Sequence, residues 1–358
     1  MDNSGDFKLS RRFPRGWLRA GATATVVGLM LALPPADGRS QTPAPPLMLE
    51  TKIPLGPIAG RIDHLAIDLA RKRLFVAELG ADSVAVVDLE RRAVLHTVRG
   101  LSEPQGVGYL AATDTLYVAN GGDGLVRLFS GRDFAPAGEI ALDRDADNLR
   151  TDDLAARVYV GHGGGGIGSL VGGGGGGIAV IDAGSHLIAD IKLPAHPESF
   201  QIDPAVRRIY VNLPDAGRVG AVDLATAKLV AVWPLRAAHA NFPMALDRDN
   251  GRILIGTWRP PKLMALTPDG AVAAIAPLCA DADDAFVDTK RSRVYVSCGE
   301  GVIDIFSADA ARLKRIARIP SASGARTSLW VPAFDRLFVA ARAAGGAPAA
   351  IWVFRPGP

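Results

Sequence analysis

Four carboxylates stand at one fixed offset from a recurring apolar motif. Asp63, Asp147, Glu198 and Asp283 each lie eleven residues before a short run such as Leu74-Phe75-Val76, and Gln105, Phe242 and Arg326 hold the same station in the other copies. The next position along is His64, Gly106, Asn148, Ser199, Pro243, Asp284 or Thr327, and the loops after the motif add His162, Trp258 and Arg259. Residues repeated only for packing resemble one another from copy to copy. These differ, as expected if each makes a separate contact to one small-molecule ligand or protein partner. The alternative is a wet polar rim around a channel.

The hard oxygen donors Asp63, Asp147, Glu198 and Asp283, with Asn148 and Asn241 as neutral ones, suit Ca²⁺ or another divalent cation, because converging like charges favour a positive occupant. Arg326 and Arg259 offer a competing way to neutralise them. If the chain is an enzyme, His64, Glu198 and Arg326 are the candidates for proton transfer and charge stabilisation. Gly-x-Ser-x-Gly, His-Glu-x-x-His, Cys-x-x-Cys and Cys-x-x-Cys-His are all absent, which weighs against most hydrolases and oxidoreductases.

The elements that must carry these residues repeat. Aligned on the second apolar position, the copies fall at Phe75, Tyr117, Tyr159, Tyr210, Leu254, Tyr295 and Phe338, at steps of 41 to 44 residues with one of 51. Such periods belong to propellers or helical arrays. The runs are short, β-branched and aromatic, and bounded by Gly, Asp and Arg, which weighs against the array. Each copy divides into four strands, so the expected fold is all-β, a seven-bladed β-propeller of four-stranded antiparallel blades. The outermost strand can be found only six times. The missing one is assigned to residues 47–55, an N-terminal strand that completes the last blade and removes two open sheet edges.

The copies Leu116-Tyr117-Val118-Ala119-Asn120 and Ile209-Tyr210-Val211-Asn212 resemble the YVTN type of repeat, and residues 47–356 resemble the YncE-like group of exported β-propellers. The resemblance implies an exported binding propeller that uses the mouth of its channel. It extends loosely to propeller lactonases, whose acid and base groups sit in such a mouth, and a lactonase-like, metal-dependent hydrolase is the alternative function. Motifs of this kind specify architecture far better than activity.

The first 38 residues read as a signal peptide. Lys8, Arg11, Arg12, Arg15 and Arg19 precede an apolar run from Gly21 to Leu33, too short for a comfortable bilayer span of about 20 residues. Ser10-Arg11-Arg12-Phe13 resembles a twin-arginine signal, although Pro14 departs from that pattern. Residues 39–46 form a Pro-rich linker. The expected location is periplasmic or secreted, with no membrane span in the mature form. Cys279 and Cys298, the only two cysteines, are either free or paired in such a compartment.

The formal net charge of +3 falls close to neutral once the leader is removed, so it indicates no polyanion partner. The hairpins opposite the mouth collect Arg71, Lys72, Arg73, Arg208, Arg248, Arg291 and their neighbours, which predicts a basic face and leaves nucleic acid not excluded. The glycine-rich run Gly163 to Gly177 lacks the Lys-Ser or Lys-Thr of a phosphate-binding loop and reads as a flexible insertion.

Overall fold

A computed structural model of the chain describes residues 44–163, 175–236, 238–309 and 312–358. The leader, most of the linker and the centre of the glycine-rich run lie outside these residues. The described residues form seven four-stranded antiparallel sheets, and the only helical elements are single 3₁₀ turns. Among them no helix is long and apolar enough to cross a membrane.

The first blade runs from the axis outward as Leu65–Asp68, Arg73–Glu78, Ser83–Asp88 and Ala93–Val98. Its turns follow from sequence. Asp88 Oδ1 accepts from the backbone N–H groups of Glu90 and Arg91, at 2.9 and 2.8 Å, and the chain then turns through Arg92 at φ 55°. Asp152 and Asp223 do the same in later blades, followed by Ala156 and Ala227 in the left-handed region. An aspartate bonding its own turn offsets the roughly 1–2 kcal/mol that a non-glycine residue loses there.

The apolar core lies in the seams between blades. Phe75, Val84 and Val86 of the first blade pack with Val107, Leu116 and Val118 of the second, all buried. In the last blade the order from the axis is Ser328–Val331, Arg336–Ala341, Ala349–Pro356 and then Leu47–Gly56. The expected closing strand is therefore present, paired from Leu47 opposite Pro356 to Gly56 opposite Ala349 with register shifts after Leu49 and after Pro54. Ile53 and Leu55 fill the seam to the first blade and Leu47 the seam to the sixth. Arg293 ties both chain ends together, donating to the carbonyls of Pro46, Gly357 and Pro358 at 3.1, 3.0 and 2.5 Å.

One open alternative closes at this level and one expectation changes. Cys279 and Cys298 are paired, with Cα atoms 6.0 Å apart, across the inner end of the sixth blade. The face opposite the mouth is not a free basic surface. Arg71 pairs with Asp68 and Asp114, Arg248 with Asp203, Arg252 with Asp247 and Arg291 with Asp288 and Asp335. Aspartates at the ends of the inner strands, Asp68, Asp203, Asp247 and Asp288, and in the turns that follow, Asp114 and Asp335, offset the charge of these four arginines.

Candidate functional site at the channel mouth

In the first, third and fourth blades the segment leading into the inner strand is held by the same pair of backbone bonds. Asp63 N–H donates to Ala77 O at 2.7 Å and Ala77 N–H returns to His64 O at 3.0 Å. Asp147 and Asn148 straddle Gly161 in this way, at 2.9 and 2.8 Å, and Glu198 and Ser199 straddle Asn212, at 3.0 and 3.0 Å. The carboxylates thus occupy equivalent stations around one ring. Neighbouring segments press together closely: a Cβ on Gly106 would stand 2.0 Å from Asp147 O, so only glycine fits there.

Three side-chain groups make up the mouth. In the first, Asp63 is fully buried and paired with Arg61 at 2.7 Å. Burial dominates and pushes its carboxyl up to about 6, despite His64 and Arg61 nearby. His64 Nδ1 lies 3.8 Å from Asp284 Oδ2, and its Nε2 lies 3.0 Å from the Asn148 side-chain amide. Burial opposes a charge on His64, but Asp284 and Asp63 outweigh it and hold the imidazole up to about 10. Asp284 is fixed in turn by the Ser328 N–H at 2.8 Å.

The second group is Asp147, His196 and Glu198, each offering a donor atom within 4.8 Å of the others. His196 is buried, with Nδ1 on the carbonyl of Gly163 and Nε2 3.8 Å from Asp147 Oδ2. Burial would raise Asp147, yet His196 and His64 hold it below the usual carboxylate range. Glu198 behaves oppositely, driven well above that range by burial and by Asp147. Gln105 serves behind them, donating to Asp145 Oδ1 at 3.0 Å.

In the third group, Arg326 reaches Asp283 at 3.0 Å and Asp281 at 2.8 Å. Its guanidinium lies 5.6 Å from the ring centre of Trp258, which stacks on Phe242 at 3.9 Å. Burial raises Asp283 in spite of Arg326. Beneath the mouth a cavity of about 1040 Å³ passes His64 and Asp284 towards the opposite hairpins, walled by Ile67, Leu149, Leu246 and Phe286 with Arg150 and Gln201.

What is shared with known proteins is the fold. One similar solved structure is a chain of Kuenenia stuttgartiensis hydrazine synthase, with a TM-score of 0.68 and 17% identity over 82% of this chain and 94% of that one. Another is a chain of a mitotic checkpoint complex, with a TM-score of 0.70 and 14% identity over 95% of this chain and 100% of that one. No family model and no curated protein matches the sequence.

Most residues singled out from sequence meet at the mouth, but not as one four-carboxylate cage. Asp63 and Asp283 are engaged by arginines, and only Asp147 and Glu198 of that set share a compact donor group. Asn241 is buried in the seam between the fourth and fifth blades, donating to Asn212 Oδ1 at 2.8 Å and Arg218 O at 3.0 Å. His162 turns outward within its blade to Asp190, at 3.1 Å. Arg259 is exposed on a hairpin, apart from the carboxylates it was expected to neutralise.

Arg61, Asp145, His196 and Asp281 were missed, and they share a signal. Each stands two residues before a residue of the carboxylate station, as His196 does before Glu198. In an extended chain such pairs project to one side.

Proposed function

We propose that this chain is a ligand-binding propeller of the exported, YncE-like type, working through the acidic mouth of its channel. The observation that carries the reading is electrostatic. Three of the four ring carboxyls, Asp63, Glu198 and Asp283, sit above their ordinary range chiefly because they are buried, with neighbouring carboxylates raising them further. A site in that state accepts positive charge. The Trp258–Phe242 stack beside Asp283 adds a flat apolar surface, which suits a small cationic or sugar-like ligand. The disulfide supports an oxidising compartment.

A thermal-shift screen of the purified protein against cationic metabolites and sugars tests this. A hit whose shift disappears in Asp283→Asn and Trp258→Ala supports the assignment. Hits that persist in both variants place binding elsewhere.

A lactonase-like hydrolase is the second reading, favoured by one observation. Asp147 and Glu198 share a site with their acidities pushed apart, an arrangement that provides a base and an acid. Turnover of sugar lactones that is lost in Glu198→Gln would replace the binding reading. No turnover across a lactone panel would retire the enzyme.

A further inference from the structure

The group Asp147, His196 and Glu198 has the features of a coordination site, and those features do not depend on whether an organic ligand also enters the mouth. From its geometry we infer that these three side chains bind one divalent transition-metal ion of the Zn²⁺ class, leaving its remaining positions open toward the mouth.

The histidine carries the argument. Its ring is 6% exposed, and Nδ1 donates to the Gly163 carbonyl, which turns Nε2 toward Asp147. A ligating imidazole is oriented in this way by a bond from its other nitrogen to a carbonyl or carboxylate. Nε2 lies 3.8 Å from Asp147 Oδ2, too long for a hydrogen bond. It is near the spacing of two donors sharing an ion, since bonds of about 2.0–2.2 Å place neighbouring ligands about 3 to 4 Å apart. An ion between Nε2 and the two carboxylates would fit this spacing.

Behind the ligands stands a supporting layer. Asp145 Oδ2 lies 3.9 Å from His196 Nδ1, and Gln105 holds Asp145 in place. Asp147 and Glu198 are set by the paired backbone bonds to Gly161 and Asn212, so their donors converge from adjacent blades on a rigid frame. The donor set selects the metal. One imidazole with two carboxylates suits Zn²⁺ and its first-row neighbours, whereas Ca²⁺ takes six to eight oxygens and gains little from nitrogen. Three protein ligands leave room for water or a ligand oxygen, as in open zinc sites.

The test uses the folded protein stripped with a chelator and titrated calorimetrically with ZnCl₂, MnCl₂ and CaCl₂. The expected result is one Zn²⁺ per chain, bound at least tenfold more tightly than Ca²⁺, with affinity falling at least tenfold in both His196→Gln and Glu198→Gln. Trp258→Ala, which removes the aromatic platform but no donor, should bind Zn²⁺ like the parent. Absence of stoichiometric binding, or unchanged affinity in His196→Gln, overturns the assignment. If a variant does not fold, X-ray absorption of the Zn²⁺-loaded parent decides instead: one imidazole with oxygen donors supports the site, and any other shell rejects it. Failure here leaves the cationic-ligand reading standing, because that reading is tested at Asp283 and Trp258.

Discussion

Arg291 of the sixth blade donates to both carboxylate oxygens of Asp335 in the seventh, at 2.7 Å each. Its Nη1 also reaches Asp288 Oδ2 at 3.0 Å within its own turn, so one guanidinium stitches a hairpin and a blade seam. Arg71 makes the same fork to Asp114 at 2.8 Å. Arg291→Met should lower stability by about 1–2 kcal/mol, read from the denaturant midpoint. Lysine should not rescue it, because a point charge cannot make the two parallel bonds. A lysine variant with the parent's midpoint would show that charge alone holds the seam.

Deleting residues 47–55 should cost most of the molecule's stability. Leu47, Ile53 and Leu55 are buried, at about 1.5–3 kcal/mol each. Together with a lost ladder, that rivals the whole 5–15 kcal/mol margin of a folded domain. Melting and limited proteolysis report it, and a truncated chain that melts with the parent would mean the ring stands without its closing strand.

His64 gives stability a defined pH window. Its folded value of about 10 exceeds the ordinary 6.5, so its contribution is fully present below pH 6.5 and is lost as pH rises through 10. The groups facing it are Asp63, Asp147 and Asp284, with Asn148 on its Nε2. The stability difference between the parent and His64→Gln should therefore shrink between pH 6.5 and 10, by up to about 1.4 kcal/mol per unit. Parallel curves across that window would mean His64 is not held as an imidazolium.

Reducing the Cys279–Cys298 bond should destabilise the sixth blade. For a loop with 19 residues of separation the chain-entropy contribution is roughly 3 kcal/mol. Cys279→Ala/Cys298→Ala, compared with the parent under oxidising and reducing conditions, separates this from an effect of the reductant itself. A double variant as stable as the oxidised parent would remove the bond from the stability account.

The architecture was legible because burial repeats. Tyr117, Tyr295 and Phe75 recur where each blade needs a large side chain in its seam, so the period survives while everything around it varies. The site was legible by halves. The column through Asp147 and Glu198 could be aligned on that period, but His196 and Asp145 lie two residues upstream, in segments without an apolar pattern to anchor them. Partners such as Asp190 for His162, 28 residues on, depend on which face of a strand a side chain takes, and no spacing rule gives that. The basic hairpins misled because charge was counted on one partner only. Asp335 lies 44 residues from Arg291 and neutralises it across a seam.

The pairing of Leu47–Gly56 with Ala349–Pro356 also sets an order of events during synthesis. Six blades are each complete within one continuous stretch of chain and can form as they are made, whereas the seventh joins segments about 300 residues apart. Until its partner is made, the first strand of the domain has no sheet to join and stays exposed as an unpaired edge. Any chain that ends within the sixth blade therefore lacks the partner of Leu47–Gly56, and every such fragment carries that same unpaired strand as its mark of incompleteness.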